Sequence, residues 1–172
     1  AFACLGAGSE MGPTATLLAH GATVCAVDVP RPEVWRRLAR LAAASRGTLL
    51  VPLRRAAGGE GPRAQVLGQG LEEEELCQRA GCNLLEETPQ VAAWLCAQAT
   101  EQAKDKKFCV GSYVYLDGAN FVRVALAADA VLEAVCAARP DAALACLSSP
   151  TECYAVPPAA WAAASARLRA PP

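Results

Sequence analysis

The sequence predicts an open α/β fold in which a parallel sheet of about five strands lies between two layers of helices. Short apolar runs typical of strands alternate along the chain with longer runs that have the pattern of helices. Strands and helices that alternate at this spacing form right-handed βαβ units, and such units build a parallel sheet covered on both faces. With 172 residues, of which 53% are hydrophobic and 19% charged, the chain is long enough and apolar enough for one domain.

The first part of the chain contains three predicted strands and two predicted helices. The strands are 2–5, 23–28 and 48–53, and the helices are 14–20 and 32–45. The run TVCAVD is apolar except at its ends, as expected for a strand that is buried on both faces. Gly21 and Gly47 follow the two helices at the position where glycine commonly ends a helix.

Residues 54–81 interrupt this alternation. Their glycines and a run of four glutamates predict a surface insertion with a short acidic helix. The alternation then resumes with predicted helices over 88–103 and 119–138 and predicted strands over 108–115 and 143–147. Residues 1–153 are therefore expected to form the main domain, and residues 154–172 a C-terminal helical tail.

The charge pattern excludes two classes of partner. The formal net charge of −1 leaves no basic face for a nucleic acid. The only cluster of basic residues, over 104–107, is short and interrupted, which is typical of a solvated helix end. No segment reaches the ~18 uncharged apolar residues that a membrane-spanning helix needs. We therefore expect a soluble protein that neither binds nucleic acid nor spans a membrane.

The nine cysteines are not expected to form a disulfide framework. Cys4, Cys25, Cys109 and Cys146 each fall within an apolar run that predicts a buried strand, where cysteine acts as a small hydrophobic residue. An odd number of cysteines, a full-sized core and no recognisable secretory signal predict an intracellular reducing compartment, the cytoplasm or an organelle stroma or matrix. His20 is the only histidine, so no zinc or other metal site is predicted.

A glycine-rich turn, GAGSEMG over residues 6–12, joins the first predicted strand to the first predicted helix. In a βαβ unit, such a turn binds the pyrophosphate of a dinucleotide at the helix start. Gly6 permits the tight turn, Gly8 lets the backbone approach the pyrophosphate, and Gly12 lets helix and strand pack closely. Asp28 ends the second strand about 20 residues further on, where an acid accepts hydrogen bonds from the adenosine ribose.

These residues predict a dinucleotide site that favours NAD over NADP. The Asp28 carboxylate can accept hydrogen bonds from both ribose hydroxyls. Arg31, three residues later, can pair with a 2′-phosphate, so NADP stays an alternative. Two interpretations of the turn remain, a phosphate cradle or only a tight turn between strand and helix. Glu10 favours the interpretation as a tight turn unless its side chain points outward, because a negative charge next to phosphates is unfavourable.

This opening resembles the first loop of the short-chain dehydrogenase/reductase superfamily, which runs T-G-x-x-x-G-[IL]-G. Gly6 and Gly12 match the outer glycines of that loop, and Met11 matches its apolar position. Glu10 replaces the middle glycine, and Gly8 is placed to compensate as in the GxGxxG pattern of other dinucleotide enzymes. The resemblance implies that the cofactor contacts Gly6, Gly8, Ser9, Met11, Gly12, Asp28 and Arg31.

Two further segments resemble the same family. Cys82-Asn83-Leu84-Leu85 is similar to the segment after its third strand, and Asn83 stands where an acid usually contacts adenine. Ser148 and Ser149 follow the fifth predicted strand, where the family often has a pair of serines. The resemblance implies that they orient a substrate carbonyl, whereas Ser-Ser-Pro is also an ordinary turn at a strand exit. The resemblance also implies a three-layer Rossmann-like fold with strand order 3-2-1-4-5, in which residues 1–153 form an NAD(P)-binding domain.

The catalytic pair of this family is not recognised in the sequence. The family has Tyr and Lys four residues apart after the fifth strand, and none of the three tyrosines, Tyr113, Tyr115 and Tyr154, has a lysine at that spacing. Two functions therefore stay open. The first is the cofactor half of an oxidoreductase. The second is a non-catalytic Rossmann subunit with a structural or regulatory role in a larger complex, and this subunit either binds a dinucleotide or has lost that ability. An S-adenosylmethionine-dependent methyltransferase is a distant third, because Cys4 and Leu5 stand where that family usually has an acid.

Overall fold

The structure, a computed structural model, describes residues 1–54, 62–66, 72–102, 107–147 and 157–169, and within them the chain forms six strands and six helices. The strands are β1 (Phe2–Leu5), β2 (Thr23–Val27), β3 (Thr48–Leu53), β4 (Arg63–Val66), β5 (Cys109–Ser112) and β6 (Ala143–Cys146). The helices are α1 (Thr14–Ala19), α2 (Pro32–Ala43), α3 (Glu73–Arg79), α4 (Thr88–Glu101), α5 (Ala119–Ala138) and α6 (Pro158–Arg169).

The six strands form one sheet in the order β4-β3-β2-β1-β5-β6. All pairs are parallel except β3 and β4, which pair antiparallel at one edge. The predicted α/β class is confirmed, and the five parallel strands follow one another as 3-2-1-4-5. The predicted strand count is one too low and the complete order differs, because β4 is added at the edge. Its sequence, RAQV, is too short and too polar to predict a strand.

Two hydrophobic clusters lie on opposite faces of the sheet. Leu18, Trp35 and Leu76, from α1, α2 and α3, belong to the cluster on one face. Leu95 and Val131, from α4 and α5, belong to the cluster on the other. Helices cover both faces because the central strands are apolar along their length and need burial on each side. Leu76 lies within the segment predicted as a surface insertion, so part of that segment packs into the core.

The chain leaves β5 earlier than predicted. β5 ends at Ser112 instead of continuing to residue 115. The Tyr113 N–H still donates to the Leu5 carbonyl oxygen at 2.8 Å, and the backbone of Tyr113 and Val114 then passes directly over Gly6. This crossing ends the strand and brings the connection after β5 to the glycine turn.

The outer strand β6 is largely exposed. Cys146, predicted to be buried, is exposed, because β6 lies at the sheet edge with a paired strand on one side only. Leu144 on the same strand is 55% exposed, and Val122 and Leu126 on α5 are exposed as well. The β6 edge and the outer face of α5 therefore carry apolar side chains that the described residues do not cover.

The two buried tryptophans are expected to respond differently to replacement by phenylalanine. Trp35 Nε1–H donates to the Val29 carbonyl oxygen at 3.0 Å, whereas Trp94 Nε1 is buried with no acceptor among the described residues. Both replacements leave a similar cavity, but only Trp35→Phe removes a hydrogen bond. Because the Val29 carbonyl oxygen still accepts the Arg31 N–H at 2.8 Å, we expect Trp35→Phe to lower the free energy of unfolding by only about 0.5–1.5 kcal/mol more than Trp94→Phe, measured by urea unfolding. Equal losses would contradict the assignment of these partners.

Candidate functional site

A cleft of about 350 Å³ opens at the edge of the sheet where the parallel strands end. Its walls come from the glycine turn after β1, the end of β2, the segment between α3 and α4, and the chain after β5. β1 lies between β2 and β5, and the helices that follow β1 and β5 pack on opposite faces of the sheet. Ligands of open α/β sheets bind in the crevice at such a switch point.

The structure brings six of the eight predicted cofactor-binding residues to this cleft. Those lining it are Gly6, Gly8, Ser9, Asp28, Arg31 and Asn83. Met11 is 78% exposed and does not line the cleft, and the Gly12 N–H is used within the turn, donating to the Ser9 carbonyl oxygen at 3.0 Å. Ser148 and Ser149 lie outside the residues that the structure describes, so their role in orienting a substrate stays a prediction.

Gly6 makes the sharp turn at the end of β1. Its φ of +77° lies in the left-handed region, which residues with a side chain rarely adopt. The N–H groups of Gly6 and Ala7 both donate to the Val27 carbonyl oxygen, at 2.9 and 3.1 Å, which ties the turn to the end of β2. A Cβ atom at Gly6 would lie 2.9 Å from the Tyr113 backbone. Only glycine fits here, because both the backbone angle and the space exclude a side chain.

Gly8 is packed against α2. A Cβ atom at this position would lie 2.8 Å from Val34 Cγ1 and 3.0 Å from Asp28 Oδ2. The missing side chain therefore makes room for α2 and for the Asp28 carboxylate. An approach of the pyrophosphate at Gly8, the reason expected from the sequence, stays a prediction.

Asp28 joins the end of β2 to the glycine turn. Its Oδ2 accepts the Gly8 N–H at 2.6 Å, and its Oδ1 accepts the Val29 N–H at 2.8 Å. A carboxylate offers about four lone-pair positions, and these two bonds use one on each oxygen. The carboxylate can therefore accept two further hydrogen bonds, the number that a ribose diol donates.

The charge of Asp28 is set by opposing effects. Burial raises the pKa of the carboxyl above its usual value, because a charge in a poorly solvated place is unfavourable. The backbone hydrogen bonds from Gly8 and Val29, and then the positive charges of Arg37 and Arg31, act to lower the pKa. Burial outweighs these contributions, so the pKa of Asp28 is raised overall, while the turn and the two arginines favour the ionised form.

Two unused N–H groups lie in the second part of the turn. The Ser9 N–H donates to the Gly6 carbonyl oxygen at 2.9 Å, whereas the N–H groups of Glu10 and Met11 have no acceptor in the described part of the chain. The Glu10 side chain is exposed and does not line the cleft. α1 has only six residues, so its dipole adds little. Neither Glu10 nor Met11 lines the cleft, so these two amides lie outside its walls.

Asn83 lies beside Asp28 because the backbone holds it there. The Cys82 N–H donates to the Asp28 carbonyl oxygen at 3.0 Å. Asn83 Oδ1 accepts the Leu85 N–H at 3.1 Å, and the Asn83 N–H donates to Glu87 Oε2 at 2.6 Å. The side-chain oxygen is therefore occupied in a local turn, and the Nδ2 amide remains as a donor for a ligand ring.

The chain after β5 supplies residues of the cleft that the sequence did not single out. Tyr113 and Tyr115 both line it. The Tyr113 ring lies over Gly111, where a Cβ atom would come within 2.6 Å of the ring, and burial raises the pKa of its hydroxyl. Tyr115 is exposed, and its hydroxyl donates to Asp117 Oδ1 at 3.0 Å. The sequence offers one signal for this contact, namely the glycine at position 111, which leaves room for the Tyr113 ring.

Comparison of the chain with protein-family models, with curated proteins and with solved structures finds no match. The described residues contain no group of three or more His, Cys, Asp or Glu side chains that could hold a metal ion. No helix among them is long and apolar enough to cross a membrane. Function is therefore inferred from the geometry of the cleft.

Proposed function

We propose that the chain is a Rossmann-like domain that binds NAD or NADP at this cleft, as its resemblance to short-chain dehydrogenases implies. The observation that carries the proposal is the hydrogen bond from the Gly8 N–H to Asp28 Oδ2. It joins the glycine turn after β1 to the acid after β2 at the switch point of the sheet, which is the arrangement that dinucleotide sites share.

The residues of the cleft suit the adenosine half of the ligand. The ribose hydroxyls donate to the free lone pairs of Asp28, and the adenine lies near Asn83, whose amide can donate to a ring nitrogen. The phosphates lie against the glycine turn at Gly6, Gly8 and Ser9, which line the cleft. NAD is favoured over NADP, because an ionised Asp28 repels a 2′-phosphate, and Arg31 at the rim reduces but does not remove that preference.

The second candidate function, a non-catalytic subunit of a larger assembly, is favoured by a different observation. Val122, Leu126 and Leu144 present exposed apolar side chains on α5 and β6. Patches of this kind often mark protein–protein contacts. None of the three tyrosines has a lysine four residues later, so the usual acid–base pair of the family is not supplied by these residues.

Titration of the protein with NADH, NADPH and S-adenosylmethionine tests the proposal. We expect NADH to bind, to raise the melting temperature by mass action, and to bind more tightly than NADPH. Binding of S-adenosylmethionine alone would favour the methyltransferase. A folded protein that binds none of the three contradicts the dinucleotide proposal and leaves the subunit as the better explanation.

A further inference from the structure

Arg37, on the second turn of α2, contacts the glycine turn from outside the cleft. Its Nη2 donates a hydrogen bond to the Gly8 carbonyl oxygen. The N–H of the same Gly8 donates to Asp28 Oδ2 at 2.6 Å. Gly8 is therefore held at both of its polar groups, at the carbonyl by a cation on α2 and at the amide by the acid after β2.

Arg37 also acts on Asp28 through its charge. The positive charge of Arg37 lowers the pKa of the buried carboxyl, and does so more than that of Arg31, the other cation facing it. Cys82 is the titratable group that faces Asp28 from the segment between α3 and α4, and burial raises the pKa of its thiol to about 12. Cys82 is therefore neutral near neutral pH, and the two arginines are the charges that balance Asp28.

We propose that Arg37 is a positioning residue of the dinucleotide site, which acts through Gly8 and Asp28 without touching the ligand. Arg37 does not line the cleft, whereas Gly8 and Asp28 do. By fixing the Gly8 carbonyl it fixes the Gly8 amide against Asp28 Oδ2, so that the remaining lone pairs of the carboxylate face the ribose. The inference rests on the proposed function, because the ligand whose ribose is bound is the dinucleotide.

Three variants test this role, namely Arg37→Ala, Arg37→Lys and the matched control Arg40→Ala. Arg40 is an exposed arginine on the same helix, and its side chain makes no hydrogen bond within the described residues. NAD⁺ affinity is measured by calorimetry between about pH 5 and pH 8, and the Asp28 carboxyl is titrated by ¹³C NMR in the ligand-free proteins. The NMR titration is a readout that a merely structural role would leave unchanged.

We expect Arg37→Ala to weaken NAD⁺ binding about tenfold at neutral pH, the loss typical of one charge-assisted hydrogen bond. The carboxyl titration of Asp28 should move to higher pH, and the fall in affinity on acidification should move with it, because the protonated acid accepts fewer bonds. Arg37→Lys should restore part of both effects, and Arg40→Ala should change neither.

The measurements distinguish a failure of the proposed dinucleotide binding from a failure of the positioning role of Arg37. A wild-type protein that binds no dinucleotide overturns the proposed function and the inference together. A wild-type protein that binds NAD⁺, with Arg37→Ala indistinguishable from Arg40→Ala in affinity, overturns the inference alone. An unmoved Asp28 titration in Arg37→Ala overturns it as well.

Discussion

Replacing Gly6 with alanine is expected to lower the free energy of unfolding by about 3 kcal/mol. Part of this loss is conformational, because Gly6 has a φ of +77°, and a side chain there costs about 1–2 kcal/mol. The rest is steric, since the new Cβ would lie 2.9 Å from the Tyr113 carbonyl carbon and oxygen and 3.0 Å from the Val114 nitrogen. These are backbone atoms, which cannot rotate away. Urea unfolding followed by circular dichroism measures the change.

Gly21 offers a matched control for this prediction. Its φ of +78° is close to that of Gly6, but a Cβ built there would lie 4.0 Å from the Arg46 carbonyl oxygen, an ordinary contact distance. Gly21→Ala should therefore lose only the conformational part, about 1–2 kcal/mol. Gly6→Ala and Gly21→Ala with the same loss would mean that the chain after β5 does not pass over the glycine turn.

Replacing Asp28 with alanine is expected to weaken NADH binding roughly 100-fold. The carboxylate is the acceptor for both ribose hydroxyls in the proposed complex, and hydrogen bonds to a charged group contribute about 1.5–3 kcal/mol each. Loss of the Gly8 N–H···Oδ2 bond, 2.6 Å long, also frees the glycine turn, which forms one wall of the cleft. Fluorescence titration with NADH measures the affinity.

Two other variants complete the Asp28 experiment. Asp28→Asn keeps a neutral acceptor of similar shape, so its affinity should fall between those of the wild type and Asp28→Ala. Glu33→Ala removes an acidic residue from the first turn of α2, outside the cleft, and should bind NADH like the wild type. Wild-type affinity in a folded Asp28→Ala protein would show that the ribose does not bind at this acid.

The elements nearest the site could be predicted because local patterns specify them. A strand of four apolar residues, a glycine turn and a second apolar strand ending in Asp28 define a βαβ unit without knowledge of distant contacts. The prediction that the glycine turn and Asp28 belong to one site follows from that unit alone. β4 was missed because a short polar edge strand is specified by its neighbour β3, and the residues that pair there are not marked in its own sequence.

The parts of the site that were not predicted depend on packing between elements. Arg37 follows Arg36 on an amphipathic helix, and nothing in the sequence separates the arginine that reaches Gly8 from the one that pairs with Glu74. Asn83 lines the cleft as predicted, but the sequence does not indicate that its Oδ1 accepts the Leu85 N–H, which leaves only the Nδ2 amide for a ligand. Side-chain partners of this kind depend on helix rotation and turn geometry, which hydrophobic periodicity does not report.

The central position of β1 has a consequence for how the chain folds. Phe2 pairs with Val24 on one side and with Cys109 on the other, so the two neighbours of β1 lie about twenty and more than a hundred residues away. At a synthesis rate of about 5–20 residues per second, β5 follows β1 from the ribosome by roughly 5–20 s. During that interval one edge of β1 has no partner strand, and pairings between distant segments form slowly. We therefore expect the chain to refold more slowly than a helical protein of its size, with the β1–β5 pairing among the last steps.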